Sequence, residues 1–266
     1  MLDEKEIRRW LTAKTIGDGL EIHGLLDSTN NRAKALAAAG APHGLAVVAD
    51  AQSGGRGRLG RSFFSPGQAG VYMTVILRPD CAPDKAGLLT SLAAVAAARA
   101  AEKVSGADVK IKWVNDLYLN GRKICGILTE AGHAPEGGRL DWAVVGIGIN
   151  AGRMTFPEEL RDIATSIGNE TGTAPDRTRL IAEVLNELDA LYGDLETGAF
   201  LAESRKRSNV IGRTVTVIGG GRQYPAKAVD IDSRGRLVVE TEEGRTCLDS
   251  GEVSLKLAGG EGTHES

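Results

Sequence analysis

Cysteine is scarce in this chain. Cys81, Cys125 and Cys247 are the only three in 266 residues, and no two form a CxxC pair. An odd, widely spaced set excludes a disulfide framework and a zinc cluster and fits a reducing compartment. Aromatic residues make up 4%, and 32 Lys+Arg against 35 Asp+Glu leave a formal net charge of −3. Proteins that coat nucleic acid are normally basic and carry aromatic stacking platforms, so that class starts at a disadvantage. Long apolar runs are also missing. The most apolar stretch, Leu88 to Ala98, contains Ser91 and has about half the length of a membrane span. The N-terminal MLDEKEIRRW is charged and lacks a signal core. A soluble, cytoplasmic protein without a membrane partner is expected.

What is present is an ordinary globular balance, 42% hydrophobic and 25% charged, with 35 glycines. A chain of this length buries about 70–75% of its unfolded surface and needs no staple to fold. Patterning predicts a helix over 4–14 and a strand over 21–26 that runs into Asp27-Ser28-Thr29-Asn30. An alanine-rich helix follows, with Ser28 or Thr29 as N-cap and Gly40 as its stop. Strands are predicted over 44–52 and 70–78, and a long helix over 84–104 capped by Asp84. Strands over 109–113, 117–119, 123–130 and 142–150 follow, with Asn120-Gly121 as a hairpin turn, then a helix over 180–195. Near residue 208 the helical periods stop. Short alternating strands over 214–218, 223–231, 236–241 and 245–248 predict a small β-barrel. The expected division is 1–208, then 209–257, then a polar disordered tail, 258–266.

Four segments carry the chemistry. Gly54 to Arg61, GGRGRLGR, interleaves three arginines with four glycines. Glycine lets backbone N–H groups approach an anion, and guanidinium adds permanent charge shaped for phosphate or carboxylate. Such a loop should be mobile until its anion arrives; a solvated basic loop is the bland alternative. Lys112-Trp113-Val114-Asn115-Asp116 and Asn120-Gly121-Arg122-Lys123 put polar groups on an otherwise apolar hairpin. Gly146 and Gly148 alternate on a buried strand, so a ligand or a neighbouring element packs against that backbone. Asp27 to Asn30 either holds a small polar group or simply caps a helix.

In combination and order, GGRGRLGR, KWVNDLYLNGRKICGILTE and VVGIGIN, preceded by DSTN, closely resemble the biotin protein ligases over about residues 21–257. The resemblance implies an α+β fold of the class II synthetase-like kind. Its mixed sheet, with helices packed on one face, forms the catalytic domain, followed by a C-terminal SH3-like barrel. It implies that Ser28, Thr29, Asn30 and Gln52 bind biotin, and that Gly55, Arg56, Gly57 and Arg58 close over it. Arg58 and Lys123 would face the biotin carboxylate and the α-phosphate of ATP as the catalytic pair. Arg61, Phe63, Lys112, Asn115, Asp116 and Asn150 would serve the nucleotide, with Mg²⁺ present but its ligands unassigned. Two departures stand out. Val114 occupies a position usually held by proline, and Ser62-Phe63 replaces a basic residue and tryptophan, keeping an aromatic for adenine.

The implied reaction forms biotinyl-5'-AMP and then transfers biotin to a lysine of a biotin carboxyl carrier protein. A lipoate- or octanoate-type ligase shares the superfamily but usually lacks the GRGRxGR loop. A nucleic-acid binder using the Arg-Gly loop is the alternative from another class, disfavoured by charge. Only 27 residues precede Ser28, fewer than the roughly 50 of a small domain, so no DNA-binding domain and no DNA partner are expected. A homodimer is left open.

Overall fold

The structure, a computed structural model, describes residues 2–133, 138–219, 222–249 and 252–255. The first part of the chain contains α1 (Glu4–Trp10), β1 (Leu20–Leu26), α2 (Thr29–Ala38), β2 (Ala46–Gln52) and β3 (Gly70–Leu77). Then come α3 (Ala86–Ser105), β4 (Lys110–Lys112), β5 (Asp116–Leu119), β6 (Arg122–His133) and β7 (Leu140–Asn150). Three helices follow, α4 (Ile167–Thr171), α5 (Arg177–Tyr192) and α6 (Leu201–Arg207). The C-terminal strands are β8 (Thr214–Gly219), β9 (Arg222–Ile231), β10 (Leu237–Thr241), β11 (Gly244–Leu248) and β12 (Glu252–Leu255).

Strands β1 to β7 form one sheet in the order β1-β2-β3-β7-β6-β5-β4, parallel only between β1 and β2. It is the expected mixed sheet, but helices lie on both faces rather than one. Side chains alternate across a strand. Val71, Met73, Val75 and Leu77 of β3 share a core with Leu88, Leu89 and Leu92 of α3 and Leu185 and Leu188 of α5. Ile76, from the opposite face, packs with Val47, Val144 and Ala33 and Ala37 of α2. Helix α2 is short and covers only part of its face, which leaves the rest of the sheet open as a floor. With elements packed on both of its faces, β3 is buried throughout and reads as an apolar run interrupted by Thr74.

The C-terminal strands form a separate antiparallel sheet, β11-β10-β9-β8-β12, consistent with an SH3-like domain. Strand β12 was not predicted, and the predicted tail over 258–266 lies outside the described residues. The turn before β10 is seated on the large domain. Trp113 Nε1 donates to the buried Gly235 carbonyl at 2.9 Å, and Gly235 has φ +77°. A Cβ at Gly235 would also come within 3.2 Å of Ser91 Oγ.

Other boundaries shift for local reasons. The first helix ends at Trp10 because the backbone N–H groups of residues 12–16 bind side chains of α5 instead. Asn186 Oδ1 accepts from Thr12 and Ala13, and the Asp189 carboxylate from Lys14, Thr15 and Ile16. The long helix begins at Ala86, after a 3₁₀ turn over Pro83–Lys85, with Lys85 rather than Asp84 in the cap position. The Asn120-Gly121 turn forms as expected, with φ +50° and +82°. Helices α4 and α6 were not predicted. No helix of the described residues is long and apolar enough to cross a membrane.

Candidate active site

The open part of the sheet face is the floor of a cleft. Its floor follows from strand register. Asp116, Gly126, Gly148 and Tyr72 form one cross-strand row, and Leu128, Gly146 and Thr74 the next. The three glycines leave room that other elements fill. A Cβ on Gly146 would collide with Asn30 Oδ1, and one on Gly148 would lie 2.6 Å from the Phe63 ring. The neighbour that the alternating glycines predict is therefore the first turn of α2 at Gly146 and the loop aromatic at Gly148.

One end of the cleft is a buried polar cluster. Ser28 occupies the N-cap position of α2 but makes no side-chain cap bond. The Thr29 N–H donates to Gln52 Oε1 at 2.8 Å, and the Thr29 hydroxyl lies 3.1 Å from the same oxygen. Gln52 Nε2 donates to Ser65 Oγ at 3.0 Å, and Ser65 Oγ to the Phe63 carbonyl at 2.9 Å. Thr74 Oγ1 lies 2.7 Å from Asn30 Oδ1 and 2.8 Å from Thr29 Oγ1. Ser28, Thr29, Asn30 and Thr74 are all buried.

The other end is charged. Arg58 Nη1 donates to Asn115 Oδ1 at 3.0 Å, and Asn115 Nδ2 donates to Asp116 Oδ1 at 2.9 Å. Lys123 Nζ lies 2.6 Å from the same Asp116 oxygen. One continuous chain thus joins the loop guanidinium to the hairpin ammonium. Two cations held near one carboxylate are poised for an incoming anion, because further negative charge between them would be stabilised.

The glycine-arginine loop joins these ends. Gly54 N–H donates to the Asp27 carbonyl, Gly57 N–H to Arg61 and Phe63 N–H to Gly55, at 2.8, 2.7 and 2.9 Å. Leu59 stands at its tip, 77% exposed with φ +56°. Arg56 Nη1 contacts both Glu130 oxygens and Asn31 Oδ1, each at 3.1 Å. Burial opposes ionisation of Glu130. Hydrogen bonds from Asn30 and Lys34 and the charges of Lys34 and Arg56 outweigh it and hold the carboxyl below its usual range.

Ser28, Thr29, Asn30, Gln52, Arg56, Gly57, Arg58, Arg61, Phe63, Lys112, Asn115, Asp116 and Lys123 all line this one cleft. Two predicted residues do not. Gly55 lies behind the lining, where a Cβ would collide with the Phe63 carbonyl and lie 2.6 Å from Ser65 Oγ. Asn150 is buried beneath it. Its Nδ2 donates to the Thr165 carbonyl at 2.9 Å and its Oδ1 has no partner among the described residues. Phe63 lies over Gly126 and Gly148, close to Lys123, edge-on to Tyr72 at 6.4 Å. The sequence reading missed Thr74, Glu130 and Ser65. Thr74 had a signal, as the lone polar residue inside a wholly apolar strand, and so had Glu130, a charge closing the apolar run of β6. Ser65 had none.

Sheet, cleft and C-terminal domain define a class. Residues 24–150 match the Biotin/lipoate A/B protein ligase family, and residues 210–256 match the Biotin protein ligase C terminal domain. Within that class the chain belongs to the biotin protein ligases. It is 40% identical over 264 residues to the bifunctional ligase/repressor BirA of Bacillus subtilis, covering 96% of this chain and 79% of that one. It is 32% identical over 272 residues to the biotin–[acetyl-CoA-carboxylase] ligase of Mycobacterium tuberculosis, covering 99% and 96%. The structure of biotin protein ligase from Aquifex aeolicus in complex with biotin and ATP superposes with a TM-score of 0.76. It is 30% identical and covers 90% of this chain and 99% of that one.

Proposed function

We propose that this chain activates biotin with ATP and transfers it to a lysine of a biotin carboxyl carrier protein. A carboxylate resists attack by an amine until it is converted to an anhydride. A biotin carboxylate oxygen attacks the α-phosphorus of ATP, the bond to the β-phosphate bridge breaks, and pyrophosphate leaves. Two anions meet in that step. The observation that carries the reading is the Arg58–Asn115–Asp116–Lys123 chain, which holds a guanidinium and an ammonium on the same cleft. Such preorganised charge usually dominates this kind of barrier. In the second step the neutral lysine amine attacks the acyl carbon, the bond to the phosphate oxygen breaks, and AMP departs as the amine sheds a proton.

The polar end, Ser28, Thr29, Asn30 and Gln52, suits a ureido head group that both donates and accepts. Gly55 to Arg58 cover the acyl phosphate and exclude water. Arg61, Phe63, Lys112, Asn115 and Asp116 are assigned to the nucleotide side, whereas Asn150, buried outside the lining, is left without a direct contact role; Phe63, lying beside Lys123, also bounds the space where the two substrates meet. Among the described residues no group of three His, Cys, Asp or Glu side chains could cage a metal. That fits Mg²⁺, which takes most of its ligands from phosphates and water and needs only one or two protein oxygens. Asp116 and Asn115 supply such oxygens, and the ion when bound adds positive charge at the phosphates. We assign residues 1–208 to this chemistry and 209–257 to a barrel that buttresses the Lys112–Asp116 hairpin through Trp113.

The test is biotin-dependent exchange of labelled pyrophosphate into ATP, which needs no carrier. Exchange with biotin should exceed that with lipoate or octanoate, and a chelator should stop it. Faster exchange with lipoate or octanoate would overturn the substrate assignment, and activity indifferent to chelation would remove Mg²⁺.

A further inference from the structure

Glu130, beside the polar end of the cleft, ties α2 to the glycine-rich loop. Its carboxylate accepts from Lys34 Nζ at 2.8 Å and Asn30 Nδ2 at 3.0 Å, both on α2, and from Arg56 Nη1 at 3.1 Å, on the glycine-rich loop. Among the described residues, the side-chain hydrogen bonds of Arg56 all run through Nη1, so the guanidinium is latched by one corner.

The same carboxylate sets the polarity of the buried cluster. Asn30 Nδ2 also faces the Leu128 carbonyl, 3.2 Å away. Both neighbours of this nitrogen are pure acceptors, which fixes the amide and points Oδ1 at Thr74. Asn30 Oδ1 can only accept, so it takes the single Thr74 proton. Were the amide turned over, that proton would turn toward Thr29, 2.8 Å away on the other side. The Thr29 N–H in turn donates to Gln52, which leaves the Thr29 hydroxyl proton for Thr74 Oγ1; Gln52 donates to Ser65, and Ser65 to the Phe63 carbonyl, where the loop ends. The network therefore leaves the loop at Arg56 and re-enters it at Phe63, after passing through the proposed biotin-binding side chains. The loop end itself is closed by two backbone bonds, Phe63 N–H to the Gly55 carbonyl and Gly57 N–H to the Arg61 carbonyl.

We propose that Glu130 is a positioning residue that couples closure of the arginine loop to the orientation of the hydrogen-bonding groups around biotin, so that the acyl-adenylate is retained until the acceptor amine arrives. This rests on the biotin-activation reading above. Glu130 touches neither reacting atom; it acts through Arg56 and Asn30. Lys34 supplies a second cation that keeps the carboxylate in place when Arg56 swings away.

The test compares wild type, Glu130→Gln, Arg56→Ala and the double variant. Four quantities are read: KM and kcat of biotin-dependent pyrophosphate exchange, biotinyl-adenylate that passes a filter per adenylate formed, and the urea midpoint. For Glu130→Gln, loss of charge-assisted bonds should raise biotin KM and escaped adenylate about tenfold, with kcat within about threefold and the ATP KM unchanged. The double variant should be no leakier than Arg56→Ala, because both changes open one latch. A lowered urea midpoint with normal retention and normal biotin KM would reduce Glu130 to a packing role and overturn the proposal. Additive leakage in the double variant would overturn it as well. Absence of biotin-dependent exchange in the wild type would overturn the activation reading, and this inference with it.

Discussion

Gly126 and Gly148 face each other across β6 and β7, and a single aromatic ring, that of Phe63, lies on both. The pair is the structural meaning of the glycines in GILTE and GIGIN. They are bare not because the backbone needs unusual dihedrals but because the loop must come down onto the sheet. Lys123 shares the site, its Nζ 3.2 Å from where a Gly126 Cβ would be. The arginine loop and the hairpin that carries Lys123 are thus registered against one flat spot.

Gly148→Ala should test that spot. The new methyl would sit 2.6 Å from Phe63 Cε1, so the ring must swing into the cleft. Overpacking of this kind costs about 1–3 kcal/mol. The ring borders open space, so the cost should appear in binding, with biotin affinity falling about tenfold by titration calorimetry and the thermal midpoint nearly unchanged. Gly126→Ala, with its nearest contacts at 3.2 Å, should be milder. Full affinity in both would mean that the ring position is irrelevant to biotin.

Lys123→Ala should fold normally and lose most adenylation. The side chain is partly exposed and carries little of the core, and Asp116 keeps the Asn115 donor. Removing one preorganised donor to developing charge costs about 10²–10³ in rate. Lys123→Arg should rescue only in part, since a planar guanidinium does not replace a compact ammonium. Near wild-type exchange by Lys123→Ala would transfer the charge-cancelling role to Arg56, Arg58 or Lys112.

Limited proteolysis should report the 54–61 loop. It is held by four backbone bonds and by Arg56 and Arg58, and Leu59 is exposed at its tip. Biotin with ATP adds anions to a segment with three arginines and should slow cleavage there. Equal cutting with and without both ligands would refute a loop that closes over its substrates.

Asp189 should govern acid stability of the N-terminal segment. Burial opposes its ionisation, but the backbone N–H groups of Ile16, Lys14 and Thr15 and the nearby His43 hold its carboxyl below the usual range. A carboxyl with a lowered folded value binds fewer protons folded than unfolded. Its contribution is present above the unfolded value and disappears as pH falls through the folded one. Stability should therefore drop below about pH 4, and Asp189→Asn should cost about 1–2 kcal/mol at pH 7 while flattening that acid limb. Urea midpoints from pH 3 to pH 7 would show it; parallel curves would mean that the bonds are replaced by water.

The elements that could be read from the chain are those whose cause is local. Strand β3 announces itself by its apolar run, the hairpin by Asn120-Gly121, and the C-terminal strands by alternation and turn residues. The family motifs likewise name most of the cleft lining, because backbone-approach glycines and fixed cations leave a visible pattern. What tertiary structure alone decided is partnership across distance. Residues 12–16 are not helical because Asn186 and Asp189, some 170 positions away, take their N–H groups. Ser28 makes no side-chain cap bond to α2, and the Thr29 N–H is taken by Gln52, 23 positions further along the chain. Glu130, Thr74 and Ser65 join the site only through strand register and loop closure, which bring together side chains whose spacing along the chain carries no period. Local propensity and motif are written in neighbouring residues, whereas a hydrogen-bond network is fixed only when the packed sheet chooses which donors and acceptors meet.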